Sequence, residues 1–298
     1  MHDRRALAGL AYALAAYLAW GVAPVYFKAL RGVPPLEILA HRVVWSVVLL
    51  AGLVAVRRQL GALRRALGDR RRVALLAGTA ALISVNWGIF IWAVDAGRLL
   101  EASLGYFVNP LVNVVLGVAF LRETLSRAQR AAVALAAAGV VVLVVRSGAF
   151  PWLSLALALS FGTYGLLRKR AAIDALGGLF VETALLAPVA LAYLVVLAAR
   201  REGAFGVSTS ATWLLAAAGI VTALPLLWFG HGVKRLRLST IGLVQYVAPT
   251  VQLLLAVLAY GEAFTRPRAV AFAFIWASLA IYTGEAILRS RQVEPAST

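Results

Sequence analysis

The chain has 298 residues, of which 62% are hydrophobic and 14% are charged, and its formal net charge is +17. A soluble domain has about half apolar residues and about a quarter charged ones, so an apolar excess of this size excludes an ordinary soluble fold. The absence of cysteine excludes disulfides, thiolate metal sites and cysteine nucleophiles.

Ten apolar stretches, separated by charged residues or by glycine and proline, each approach the length of a transmembrane helix. They lie near residues 6–30, 36–56, 73–95, 99–121, 128–146, 150–167, 178–199, 212–232, 238–260 and 267–288. The first stretch has no small-residue cleavage site followed by a polar domain, so we expect an uncleaved span rather than a signal peptide. The sequence therefore predicts an all-α integral membrane protein with ten transmembrane helices.

The basic residues are distributed unevenly between the two sides of this arrangement. With the N-terminus inside, twenty lysines and arginines fall on the cytoplasmic side and eight on the other, and Arg42 falls inside a span. The positive-inside rule and the even number of spans then put both termini in the cytoplasm. We interpret the net charge as a topology signal and as contact with membrane lipids, not as binding of nucleic acid, for which no module is present.

An internal repeat relates residues 6–146 to residues 150–288. In one ungapped register, polar residues and a proline of the first half align with polar residues and a proline of the second. The aligned pairs are Tyr106 with Gln245, Pro110 with Pro249, Asn113 with Gln252 and Glu123 with Glu262. Each repeat has about five spans, and an odd number of spans inverts the second copy in the membrane. Inverted repeats are typical of secondary transporters, whose substrate site lies near the midplane, although channels contain them too.

Several segments carry a family resemblance. They are EASLGYFVNPLVNVVLGVAFLRE (101–123), EILAHRVVWS (37–46), NWGIFIWAV (86–94), GIVTALPLL (219–227), RLRLSTIGLVQYVAPT (235–250) and FAFIWASLAIY (272–282). The chain resembles the RarD-type proteins of the EamA family, in the drug/metabolite transporter superfamily, over essentially its whole length. The resemblance implies ten helices in two inverted EamA repeats, 6–146 and 150–288, with both termini in the cytoplasm of a bacterial cell. It also implies export of small metabolites, and the RarD label is connected with chloramphenicol sensitivity.

Polar and aromatic side chains at mid-span depth are the candidate substrate-binding residues, because polar groups in hydrocarbon usually serve a function. Tyr106, Asn109 and Asn113 share one face of the fourth predicted span, and glutamines of the ninth span repeat that face. The predicted substrate-binding set is Trp20, Asn86, Trp87, Tyr106, Asn109, Asn113, Tyr164, Gln245 and Gln252. The alternative is that the amides only join helices and the aromatic rings only pack.

Ionisable residues near the ends of the predicted spans are candidates for gating or for coupling to an ion. The set is Glu37, His41, Arg42, Glu123, Glu182 and Glu262. Glu37 and His41 share a helical face, and histidine changes its charge near neutral pH. Structural ion pairs are the alternative role for the whole set.

These features favour a permease of the bacterial inner membrane that moves a small molecule by alternating access, in the direction of export. Two other functions stay open: a membrane-embedded enzyme that acts on a lipid-linked substrate, and a passive channel. The sequence has no paired-histidine metal motif, no P-loop and no recognisable nucleophile and base, so we expect no catalytic residues, no metal and no cofactor. The expected partners are the substrate and membrane lipids, and a homodimer stays open.

Overall fold

The computed structural model describes residues 2–95, 99–147 and 152–259, together with scattered residues between 266 and 285. Within this part of the chain the regular structure is helical throughout. The helices are α1 (His2–Ala29), α2 (Pro35–Val56), α3 (Leu60–Leu67), α4 (Arg70–Asp95), α5 (Leu99–Leu121), α6 (Arg127–Ser147), α7 (Trp152–Arg170), α8 (Ala175–Arg200), α9 (Thr209–Arg235), α10 (Leu238–Val244) and α11 (Val247–Leu254), followed by a π-helical turn (Leu255–Ala259).

Six helical stretches of the described chain are long and apolar enough to cross a membrane. They are Arg4–Ala29, Pro35–Val56, Arg70–Phe90, Ala175–Arg200, Thr209–Arg235 and Leu238–Ala259. The protein is therefore a multi-pass membrane protein. The spans expected near 99–121, 128–146 and 150–167 coincide with α5, α6 and α7, whereas most of the span expected at 267–288 lies outside the described residues.

Glycines allow close contacts between helices from the two halves of the chain. A Cβ atom at Gly219 of α9 would lie 2.6 Å from the carbonyl oxygen of Trp45 in α2, and one at Gly242 of α10 would lie 2.6 Å from the carbonyl oxygen of Pro110 in α5. Lipid tails are as apolar as the helices, so no hydrophobic force drives helices together in a membrane. Helices in lipid therefore associate by close packing, which small residues allow. The main helix contacts join α5 to α7 and α10, α9 to α1 and α2, and α2 to α8.

The ninth predicted span is not one continuous helix. It consists of α10, α11 and the π-helical turn, and the helix is interrupted around Gln245 and Tyr246. Pro249 has no N–H group to donate to the carbonyl oxygen of Gln245, which instead accepts a hydrogen bond from the N–H of Ala248 at 3.1 Å. Pro110, the aligned proline of the first half, lies within the continuous helix α5.

Candidate functional site

Arg42 is a positive charge placed among aromatic rings in the second turn of α2. Its Nε donates a hydrogen bond to Oγ1 of Thr222 in α9 at 2.8 Å. Its guanidinium carbon lies 5.0 Å from the ring centroid of Trp87 in α4 and 5.6 Å from that of Phe27 in α1. Arg42 thus meets side chains from three other helices, about 10 Å along α2 from its first residue, at 1.5 Å per residue.

Two phenols accompany this arginine. The charge of Arg42 interacts with the phenols of Tyr26 and Tyr106. The hydroxyl of Tyr26 donates to the carbonyl oxygen of Leu214 at 2.9 Å, so this residue is anchored to α9. Tyr106 packs edge-on against Phe90 and remains 36% exposed, whereas Asn109, three residues further along α5, is only 2% exposed. This face of α5 is therefore more exposed at Tyr106 than at Asn109.

Asn109, Asn113 and Gln245 form a chain of amides between α5, α7 and α10. Asn109 donates to the carbonyl oxygen of Ala158 at 3.0 Å, and Asn113 donates to Oδ1 of Asn109 at 3.0 Å and to Oε1 of Gln245 at 3.1 Å. All three amides are buried. Oδ1 of Asn113 has no hydrogen-bond partner among the described residues. The predicted face of α5 thus exists, and most of its hydrogen bonds join helices.

The remaining polar members of the predicted binding set also contact neighbouring helices. Asn86 donates to the carbonyl oxygen of Leu157 at 3.0 Å and to Oγ of Ser160 at 2.9 Å, and Gln252 donates to the carbonyl oxygen of Trp20 at 3.1 Å. These contacts are also what the helix-joining alternative predicts. Both roles therefore stay open for these residues.

Trp20 and Tyr164 belong to a cluster of rings between α1, α7 and α9. Phe229 lies at its centre, 5.7 Å from Trp20 and 6.2 Å from Tyr164 by ring centroids. Tyr164 is 1% exposed, so its ring is enclosed by protein. Trp87 is the member of the predicted aromatic set that contacts Arg42.

Glu37 and His41 lie together, as their spacing predicts, but they face away from Arg42. Oε1 of Glu37 accepts hydrogen bonds from the N–H groups of Ala204 at 2.7 Å and Phe205 at 3.2 Å, in the turn between α8 and α9. The ring of His41 stacks on that of Phe205 at 4.8 Å, and its Nε2 lies 3.9 Å from Oε1 of Glu37. Successive helical residues differ by about 100° in direction, which separates Arg42 from this pair.

Glu123 joins the end of α5 to the start of α10. Its carboxylate accepts hydrogen bonds from the N–H groups of Leu238 at 2.7 Å and Ser239 at 3.0 Å, at the N-terminus of α10. Lys169 and Arg237 lie within 4 Å of the same carboxylate. Glu123 therefore holds α5, α7 and α10 together at this end of the helix bundle. Its aligned counterpart Glu262 lies outside the described residues.

Glu182 is buried in the interior of the helix bundle. It accepts hydrogen bonds from Oγ1 of Thr79 at 2.6 Å and from the hydroxyl of Tyr164 at 3.2 Å. Nη1 of Arg168 lies 3.5 Å from Oε1 of Glu182, and both side chains are 2% exposed. Arg168 also donates to the carbonyl oxygen of Ala175 at 3.1 Å, so α4, α7 and α8 meet at this pair.

Sequence reasoning did not identify Phe27 and Thr222 as neighbours of Arg42. A signal for Thr222 is its spacing from Gly219, three residues earlier on α9, because residues three apart share a helical face and a glycine in a span marks a close helix contact. No comparable signal distinguishes Phe27 from the other apolar residues of the first span.

Long apolar helices that enclose buried polar and charged side chains define a multi-pass membrane protein with an interior suited to polar groups. Residues 7–145 match the EamA-like transporter family. An uncharacterized transporter of Vibrio cholerae is 50% identical over 92% of this chain and 91% of its own length. Protein RarD of Salmonella typhi is 47% identical over 98% of this chain and 100% of its own length. The chain therefore belongs to the EamA-like transporter family, as a RarD-type protein, and is a membrane transporter.

A solved structure has the same fold. A chain described as "Crystal structure of protein" matches with a TM-score of 0.70 and 22% sequence identity, over 96% of this chain and 99% of that chain. At this level of identity the likeness supports the arrangement of helices and nothing further.

Proposed function

We propose that the protein is a secondary transporter of the bacterial inner membrane that exports a small organic metabolite or drug by alternating access. Ten spans form two inverted five-helix repeats, residues 6–146 and 150–288, and both termini lie in the cytoplasm. The substrate site lies between the two repeats, where buried polar residues from both halves meet. The bias of arginine and lysine toward one side supports this orientation.

The pattern of helix contacts is the observation that carries the proposal. In the aligned repeats, α1 corresponds to α7, α2 to α8, α4 to α9, and α5 to α10 and α11. If each helix is replaced by its counterpart in the other repeat, the contact of α4 with α7 becomes the contact of α9 with α1. In the same way, the contact of α2 with α9 becomes the contact of α8 with α4. The contact of α5 with α7 becomes the contacts of α10 and α11 with α1. All of these contacts occur in the structure, and their pairing supports a pseudo-two-fold arrangement of the two repeats.

Counterflow in liposomes tests the carrier function. Liposomes that contain the purified protein are preloaded with one unlabelled compound, and uptake of its labelled form is measured for amino acids, other metabolites and chloramphenicol. A carrier gives saturable uptake above protein-free liposomes that depends on the internal compound. Uptake that does not saturate indicates a channel, and no exchange by folded protein across the panel contradicts the proposal. Efflux from loaded cells then tests the direction.

The absence of cysteine makes the orientation directly measurable, because a single introduced cysteine is the only thiol in the chain. A Cβ atom at Gly61 in α3 meets nothing within 4 Å, and Val207, between α8 and α9, is 79% exposed. We expect a membrane-impermeant maleimide to label Val207→Cys in intact cells and Gly61→Cys only after the inner membrane is opened. Labelling of Gly61→Cys in intact cells contradicts the orientation.

A further inference from the structure

Arg42 lies in a membrane span, and among the side chains that the structure describes no aspartate or glutamate forms an ion pair with it. The side chains of Asp95 and Glu101 lie outside that description. The charge of Arg42 interacts with the phenols of Tyr26 and Tyr106. Arg168, a second arginine within the helix bundle, has Glu182 at 3.5 Å. A charged side chain in a span is rare and usually faces a partner or a pathway, which makes Arg42 a candidate to meet a ligand.

The guanidinium also retains unused hydrogen-bond donors. Arginine has five N–H groups, and within the described residues only the one on Nε donates a hydrogen bond, to Thr222. Nη1 and Nη2 make no hydrogen bond to the groups that the structure describes. These two nitrogens form the planar fork that binds a carboxylate through two parallel hydrogen bonds.

The aromatic rings around Arg42 favour an apolar body in any ligand that pairs with the guanidinium. Trp87 and Phe27 contact the guanidinium through their faces, which stabilises the cation without neutralising it. Tyr106 and Phe90 add an aromatic wall, and Tyr106 is 36% exposed. An anionic group suits the fork chemically, and an apolar body suits the rings.

We infer that Arg42 binds the carboxylate of the transported molecule, and that the substrate is a small organic acid with an apolar or aromatic body. The inference that the acid is transported rests on the proposed carrier function, whereas binding of the acid at Arg42 is testable without transport. The site distinguishes acids from neutral compounds, because a neutral compound has no charge to pair with the guanidinium.

The experiment measures binding to the purified protein as a ligand-dependent rise in melting temperature. The probes are benzoate against benzamide, and N-acetylphenylalanine against its amide, at matched ionic strength. We expect the acids to stabilise the wild type and the amides not to. Arg42→Gln should weaken binding of the acids about 10- to 100-fold, the usual effect of charge-assisted hydrogen bonds. Arg42→Lys should bind with intermediate affinity, because lysine keeps the charge but lacks the planar fork.

Arg200→Gln is the matched control. It removes one positive charge from an exposed position at the end of α8, and we expect it to bind the acids as the wild type does. Thr222→Val keeps the charge of Arg42 and removes its anchor, so it tests the site if Arg42→Gln does not fold. We expect Thr222→Val to weaken binding several-fold.

Equal effects of acids and amides, no stabilisation by either acid, or unchanged affinity in folded Arg42→Gln would each overturn the inference. Saturable counterflow of a neutral compound that is unaffected by Arg42→Lys would also overturn it and leave the carrier function intact. Arg42-dependent binding of the acids without counterflow would support the site and contradict the carrier function.

Discussion

Replacement of Gly219 by alanine tests the contact between α2 and α9. The added Cβ atom would lie 2.5 Å from the carbonyl carbon of Trp45 and 2.6 Å from its oxygen. Both are backbone atoms of a helix, so neither can rotate away. The two helices must separate by about 0.9 Å to move the nearer atom from 2.5 Å to the 3.4 Å that marks an ordinary contact.

The magnitude follows from two opposing effects. Overpacking a tight contact costs about 1–3 kcal/mol, while alanine in place of glycine favours a helix by about 1 kcal/mol or less. The separation also strains the hydrogen bond of 2.8 Å between Arg42 and Thr222, one turn from Gly219. We expect a net loss of about 1–2 kcal/mol in the free energy of unfolding.

The assay is thermal unfolding of the purified protein in detergent, with Gly52→Ala as the matched control. A Cβ atom at Gly52, also in α2, meets nothing within 4 Å, so this substitution has the helix-propensity gain without the clash. We expect Gly219→Ala to lower the melting temperature and Gly52→Ala to leave it unchanged or raise it. A melting temperature for Gly219→Ala equal to or above that of the wild type would refute the reasoning.

Three further predictions concern the buried polar groups. Arg168→Met and Glu182→Leu alone should each lower the free energy of unfolding by about 3–5 kcal/mol, because each leaves a buried charge unpaired. The double variant should recover much of this loss, as measured by denaturant unfolding. Additive losses in the double variant would contradict this prediction. Asn86→Ala and Asn109→Ala should abolish counterflow while the proteins still insert and purify as folded species, and wild-type transport in both would exclude them from the substrate site. His41→Ala should change the pH dependence of transport between about pH 5 and 8, because protonation charges the ring 3.9 Å from a buried carboxylate. An unchanged pH profile would leave His41 with a structural role.

The apolar pattern predicts the positions of the helices well, because a span in lipid must be both long and apolar. Helices α4 and α5 end at Asp95 and Leu121, where the predicted spans end. The pattern does not predict α3, since its arginine-rich eight residues read as a loop between spans. Nor does it predict the interruption of the ninth span, because Pro249 breaks one helix while Pro110 is tolerated in another.

The directions of side chains are harder to predict than the spans. Glu37 and His41 are correctly predicted to share a face, but the adjacent Arg42 points to other partners. Helical spacing gives the angle between residues of one helix and leaves open which helix packs against each face. The contact of Arg42 with Thr222 joins residues 180 positions apart, and such a pairing depends on how the helices assemble.

The glycine contacts limit how the protein can change shape. Trp45 meets Gly219, Ser154 meets Gly105, and Pro110 meets Gly242, each through backbone atoms at or below 3.0 Å from the added Cβ position. Every one of these contacts joins a helix from before residue 148 to a helix from after residue 151. Pulling the two halves of the sequence apart would break all three contacts at once. In the proposed alternating-access cycle, rigid bodies that keep these three contacts would each combine helices from both halves of the sequence.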